Sequence, residues 1–244
     1  VLFSLILRAV SLEFRAHDPD RKSFWEAVFV VSSFLPALLF GVALGNVVAG
    51  VPLDARGEYA GTFFTLLRPW PLAVGVLGLC VFLLHGSAYA ALKTEGPIRE
   101  RARRAAKVLA GLVFAALFAA FFLVLVLYPY LFDRVPSWLI GNFVCLLCIL
   151  FLVALKKGRD GRAFFFSSAI FVGLWGVIGA IHYPNLVRGT DPALSLTVSN
   201  SSSSPLALKI MLIIALVGMP FVLAYTGIIY WTFRGKVRLD EHSY

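Results

Sequence analysis

The chain of 244 residues is 60% apolar and only 14% charged, against roughly 45–50% and 25% in a soluble globular domain. A mean hydropathy of +0.87 excludes a water-soluble domain: no core of this size hides so much Phe, Leu, Val and Ala, whereas lipid solvates the outer faces of a helix bundle. The net charge of +9 lies in short basic runs between apolar stretches, which is the pattern of membrane topology and not of a nucleic-acid surface.

The expected fold class is therefore all-α, a polytopic membrane helix bundle forming a single integral membrane domain over residues 1–244. In chain order, VLFSLIL is an apolar run of only seven residues, Ser4 among them, before Arg8. A spanning helix needs about 20, and a signal peptide carries its charge before the apolar run. The run is expected to be the end of a helix that starts upstream, in a chain that is the C-terminal part of a longer subunit. Six full spans follow, at about 24–46, 71–92, 108–128, 138–155, 164–183 and 206–233. Pro36 and Pro220 fall inside spans and predict local kinks.

Lys and Arg alternate in density between the spans. Segments 8–22, 93–107, 156–162 and the tail together hold 17, whereas 47–70, 129–137 and 184–205 hold 4, Arg134 among them. The positive-inside rule puts the first set, and with it the C-terminus and Arg238, in the cytoplasm. The opposite loops are rich in Gly, Pro and Ser, which favours turns and irregular ordered segments. Asn200-Ser201-Ser202 fits a glycosylation acceptor, a weak signal at this length. Trp70, Tyr128, Tyr130, Trp138, Tyr183 and Trp231 gather at span ends and read as an interfacial belt.

Chemistry-bearing residues are sparse. His17 and His242 fall in segments read as cytoplasmic. His85 lies about 13 residues below the outer end of its span, roughly 20 Å deep, and His182 lies near the outer surface. Two axial ligands of one iron stand about 4 Å apart, so this pair makes a poor bis-histidine haem site; both residues read as packing or interface groups, with a single His ligand as the other reading. Cys145 and Cys148, three apart on a helix, share one face, as a redox pair or metal half-site would; with no second pair and in the apolar NFVCLLCILFLV they read instead as small hydrophobes. Asn46, Asn142, Ser167 and Ser168 are weakly marked, since most Ser in spans bond their own backbone. RERARRAAK reads as a headgroup-facing stretch. No phosphate-binding glycine loop, H-E-x-x-H or carboxylate cluster is visible, so neither catalytic nor metal residues are assigned.

A charged residue at membrane depth is a functional candidate by default. Arg8 is the strongest here, on R-A-V-S-L-E-F-R. If the helix continues, Arg8 and Ser11 share a face, as do Ser11 and Arg15. The competing reading is a snorkelling arginine at a helix end.

The stretches LRAVSLEFR (7–15), GVALGNVVAGVPLD (41–54), EYAGTFFTLLRPWPLAVG (58–75), LKTEGPIRERARR (92–104), SLTVSNSSSSPLALKIML (195–212) and PFVLAYTGIIYWTFRGKV (220–237) resemble, in the same order, subunit II of the cytochrome bd-type quinol oxidases. The resemblance implies a nine-span fold of two four-helix bundles and a peripheral helix. It implies a complex of the bacterial or archaeal cell membrane that oxidises quinol, reduces dioxygen to water and takes protons from the cytoplasm. It places the b- and d-type haems in a partner subunit I and none on this chain, surrounds both with membrane lipid, and admits a small accessory subunit. It also places the arginine of R-x-x-S/G-x-E/D-F/Y-R, here Arg8, near a proton route, with Glu13 and Arg15 at its cytoplasmic mouth. The route's acid belongs to an upstream W-D-G-N stretch outside this sequence. Two other readings stand beside this one: a secondary transporter, whose inverted repeats and polar mid-membrane residues are not visible, and a purely structural membrane subunit.

Overall fold

The computed structural model describes residues 1–132 and 137–236, with side chains described for 1–131 and 141–236. Arg134, Arg238, His242 and the side chain of Trp138, all used in the sequence reading, lie outside these. Seven α-helices account for most of the described chain: α1 Leu2–His17, α2 Lys22–Ala49, α3 Pro69–Lys93, α4 Gly96–Leu127, α5 Ser137–Lys156, α6 Asp160–His182 and α7 Pro205–Thr232.

By length and composition, five segments are long and apolar enough to cross a membrane: Pro19–Ala49, Pro69–Lys93, Gly96–Leu127, Asp160–His182 and Pro205–Thr232. The expected fourth span is α5, whose apolar part within the described side chains, Gly141–Lys156, is shorter. The chain is thus an all-α membrane helix bundle. The helices reach further than hydropathy alone marks. The apolar stub and the charged segment after it form one helix, α1, that runs to His17. The basic run at 99–107 forms the first turns of α4, because Arg, Ala, Glu and Lys are strong helix formers even where they leave the apolar zone. Both α2 and α7 run on through their internal prolines.

The helices alternate in direction, so the molecule has a basic end (the α1–α2, α3–α4 and α5–α6 turns) and a loop end. α3, α4, α5 and α6 pack around a common core that includes Leu84, Val113, Phe151 and Ile170, each no more than 1% exposed. The α1–α2 hairpin leans on this bundle through α2 against α3. That crossing is very close: a Cβ built on Gly41 would lie 2.7 Å from the Gly75 Cα, and one on Gly45 2.6 Å from the Pro71 Cα. At the loop end, Val51 pairs with Gly189. A short antiparallel pair, β1 Asn185–Val187 and β2 Leu196–Thr197, sits in the last loop. Asn200 is bound into that loop, accepting from the Thr197 N–H at 2.7 Å and donating to the Ser195 carbonyl at 3.0 Å.

Helix α7 differs from the rest. None of its residues is buried, and the described side-chain ties to the bundle are at the basic end. There Lys93 Nζ donates to the Phe233 carbonyl at 2.7 Å, and Lys236 pairs with Glu95 at 3.3 Å.

Candidate functional site

The α1–α2 hairpin carries the residues singled out from the sequence. The two buried residues of α1, Ser4 and Ser11, are seven apart and therefore share one face. Small hydroxyl side chains let two membrane helices approach closely, and the hydroxyl bonds backbone instead of lipid. Ser11, 0% exposed, donates to the Arg8 carbonyl at 2.8 Å. Ser32 of α2, also buried, donates to the Phe29 carbonyl at 3.2 Å.

The continued helix confirms the shared face of Arg8, Ser11 and Arg15, and both arginines meet α2. The Arg8 guanidinium carbon lies 5.6 Å from the centre of the Phe29 ring, a distance at which ring quadrupole and cation attract. Nine residues separate Arg8 from the end of α1, about 13 Å at 1.5 Å per residue. Arg15 binds Glu26 through Nε at 3.0 Å and Nη2 at 2.8 Å. Both partners are about half exposed, so the pair is worth little in energy; it links α1 to α2 beside the turn. Glu13 is exposed, and its side chain makes no hydrogen bond or ion pair among the described residues. Its carbonyl faces His17 Nδ1 at 2.9 Å. The structure thus brings Arg8, Ser11, Arg15 and Glu26 to one interface and leaves Glu13 outside it. Glu26 is the residue sequence reasoning missed; an acid in the first turns of an otherwise apolar helix was the available signal.

Two further polar clusters fasten the bundle's ends. At the loop end Asn46, 3% exposed, donates to the Val42 carbonyl at 2.9 Å and to the Leu66 carbonyl at 2.7 Å. Arg68 Nη2 donates to Asn46 Oδ1 at 3.3 Å and to the Gly50 carbonyl, placing a cation at the negative end of α2. At the basic end Asp160, 7% exposed, meets Arg99 Nη2 at 2.6 Å and has Arg103 Nε at 3.6 Å. Arg103 also donates to the Leu155 carbonyl, so α4, α5 and α6 are joined at one point.

The histidines stand apart. His85 Nδ1 is 2.9 Å from Ser167 Oγ. Because the single hydroxyl proton of Ser167 goes to the Phe164 carbonyl at 2.7 Å, the imidazole donates and the serine accepts. His182 Nε2 lies 3.0 Å from the Leu186 carbonyl. Ser167 and His182 are 15 residues apart on α6, roughly 22 Å along its axis, so His85 and His182 do not flank a common iron. No group of three or more metal-ligating side chains occurs among the described residues. Cys148 is buried and Cys145 half-buried; both are free thiols. Cys145, Asn142 and Trp70 line an apolar cavity of about 270 Å³ between α2 and α6. Trp70 is therefore not a belt residue: it is 9% exposed, with its ring edge-on to Tyr128 at 6.4 Å.

The family model described as cytochrome bd terminal oxidase subunit II matches residues 1–233. The Bacillus subtilis protein named cytochrome bd ubiquinol oxidase subunit 2 is 30% identical over 99% of this chain and 72% of its own length. The Escherichia coli protein named cytochrome bd-I ubiquinol oxidase subunit 2 is 28% identical over 99% of this chain and 73% of its own. Among solved structures, the bd oxidase from Geobacillus thermodenitrificans matches with a TM-score of 0.74 at 14% identity, covering 96% of this chain and 72% of that one; this likeness speaks for the fold alone.

Proposed function

Because the chain belongs to the family of cytochrome bd terminal oxidase subunit II, we propose that it is the non-haem subunit of a membrane complex that oxidises quinol and reduces dioxygen. The family match over residues 1–233 carries this reading. In it the chain is one integral membrane unit of the bacterial or archaeal cell membrane, with the basic end and the C-terminus in the cytoplasm. Haems b and d sit on a partner subunit I, quinol is the substrate of the whole, and a small accessory subunit is compatible with it. The separation of His85 from His182 supports placing the haems on the partner. Expressed without that partner, the subunit is expected to be inactive and to give no haem signal in a redox difference spectrum; stoichiometric haem would contradict the assignment.

The finer part of the proposal is proton uptake past the α1–α2 hairpin. A proton route through a dry region needs water and polar side chains. A guanidinium keeps its proton, having donors and no acceptor, so Arg8 would order water and hold counter-charge rather than relay protons. Its distance from the end of α1 and its seat over Phe29 favour this over simple snorkelling. Arg15, paired with Glu26, and the unpaired Glu13 would form the mouth. In the full complex, Arg8→Leu is expected to lower quinol-driven oxygen consumption by about tenfold, which is 1.4 kcal/mol in the barrier, with haem content unchanged. Unchanged turnover and proton uptake would remove Arg8 from the mechanism and leave the purely structural reading. The transporter alternative gains no support: α2 and α7 are continuous, unlike the broken helices that form transporter sites.

A further inference from the structure

The basic run opening α4 is divided by the fold into two sets. Arg99 and Arg103 turn inward to Asp160 and the Leu155 carbonyl. Arg101, Arg104 and Lys107 are exposed and make no hydrogen bond or ion pair among the described residues. The helical period explains the division. At 100° per residue, positions 101 and 104 lie on the opposite side of α4 from 99 and 103. The same outer face continues along the helix as apolar surface, with Val108 65%, Leu112 48%, Phe118 62% and Phe122 66% exposed. The one acid beside the three cations, Glu100, pairs with none of them.

Two free cations on that face, Arg101 and Arg104, with the long side chain of Lys107 at its flank, stand above exposed apolar helix surface, which matches an amphiphile with a negative head and hydrocarbon chains. We propose that this face of α4 is a binding site for an anionic phospholipid of the leaflet at the basic end. Arg101, Arg104 and Lys107 hold its phosphate, and the acyl chains lie over Val108, Leu112, Phe118 and Phe122. Charge complementarity and the continuity of head and tail surfaces on one helix face single out a phospholipid over free phosphate, which would need the cations alone. The inward pair Arg99 and Arg103 is structural and takes no part.

Delipidated full complex is titrated with phosphatidylglycerol or phosphatidylcholine, and bound lipid is counted by native mass spectrometry. Each basic residue near an anionic surface is worth about a fivefold gain in affinity, so three predict a preference for phosphatidylglycerol on the order of 100-fold. The triple variant Arg101→Gln, Arg104→Gln, Lys107→Gln is expected to abolish that preference. The matched variant Lys156→Gln, Lys157→Gln, Arg162→Gln, which removes equal charge from the same end, is expected to keep it. Equal binding of the two lipids by the unmodified complex would overturn the proposal even if the variants fail to assemble. So would equal loss in both variants, which would mean a diffuse field. Displacement of the lipid by millimolar inorganic phosphate would also overturn it, since the acyl chains would then contribute nothing.

Discussion

Replacing Gly41 by leucine is expected to abolish assembly of the subunit. The reason lies in the backbone. A Cβ at residue 41 would sit 2.7 Å from the Gly75 Cα and 2.8 Å from the Val74 carbonyl oxygen, and main chain does not rotate aside as a side chain does. Helices α2 and α3 would have to part, and with them the neighbouring approach of Gly45 to Pro71. Membrane helices gain their association from close packing and not from a hydrophobic drive, so separation forfeits most of what binds the hairpin to the bundle. Overpacking a tight core costs about 1–3 kcal/mol, occasionally more, and a backbone-to-backbone clash belongs at the upper end. Size-exclusion of the fluorescently tagged complex should show loss of the monodisperse peak. Gly111→Ala is the matched control, because a Cβ there meets nothing within 4 Å; helix propensity predicts a slight gain of up to about 1 kcal/mol. Normal assembly of the leucine variant would mean that the crossing is looser than described.

The second large effect is expected at Asp160, and its two halves should be unequal. The carboxylate is 7% exposed, whereas the side chains of Arg99 and Arg103 are 35% and 25% exposed. Removing a partner from a buried charge is costly, about 3–5 kcal/mol in full burial. Arg99→Gln strands the buried carboxylate with only the more distant Arg103, so about 2 kcal/mol is expected. Asp160→Asn removes the buried charge itself and frees guanidiniums that already reach solvent, so about 1 kcal/mol is expected. Thermal unfolding of the complex in a double-mutant cycle reads both values. Equal losses, or a larger loss for Asp160→Asn, would show that the arginines and not the carboxylate are the dependent partners.

The fold class was legible because lipid imposes one rule on every span: backbone groups must be satisfied within the segment, so apolar length reads as helix. What hydropathy could not mark was helix beyond the apolar zone, as in the first turns of α4 and α6 and the last of α1. The site was legible where partners are local. Arg8, Ser11 and Arg15 lie within two turns of each other, and helical spacing alone aligns them. It was illegible where partners are distant in sequence. Nothing periodic links Asn46 to Arg68, or Asp160 to an arginine 61 residues earlier, and Glu26 is tied to Arg15 only by the turn between two helices. Trp70 misled for a related reason: a tryptophan at a span end looks the same whether it meets headgroups or turns inward between α2, α4 and α6.

The solitary α7 has a consequence for how the molecule comes together and how it is handled. A span whose hydrogen bonds are all internal is stable in hydrocarbon without neighbours, so α7, which buries no residue against the described bundle, adds little to the cooperativity of the described helices. In water the same helix would have neither a core nor a solvent for its surface. Detergents too sparse to sheathe a lone rod of 28 residues should therefore fray the subunit from this helix inward, while leaving the bundle itself intact.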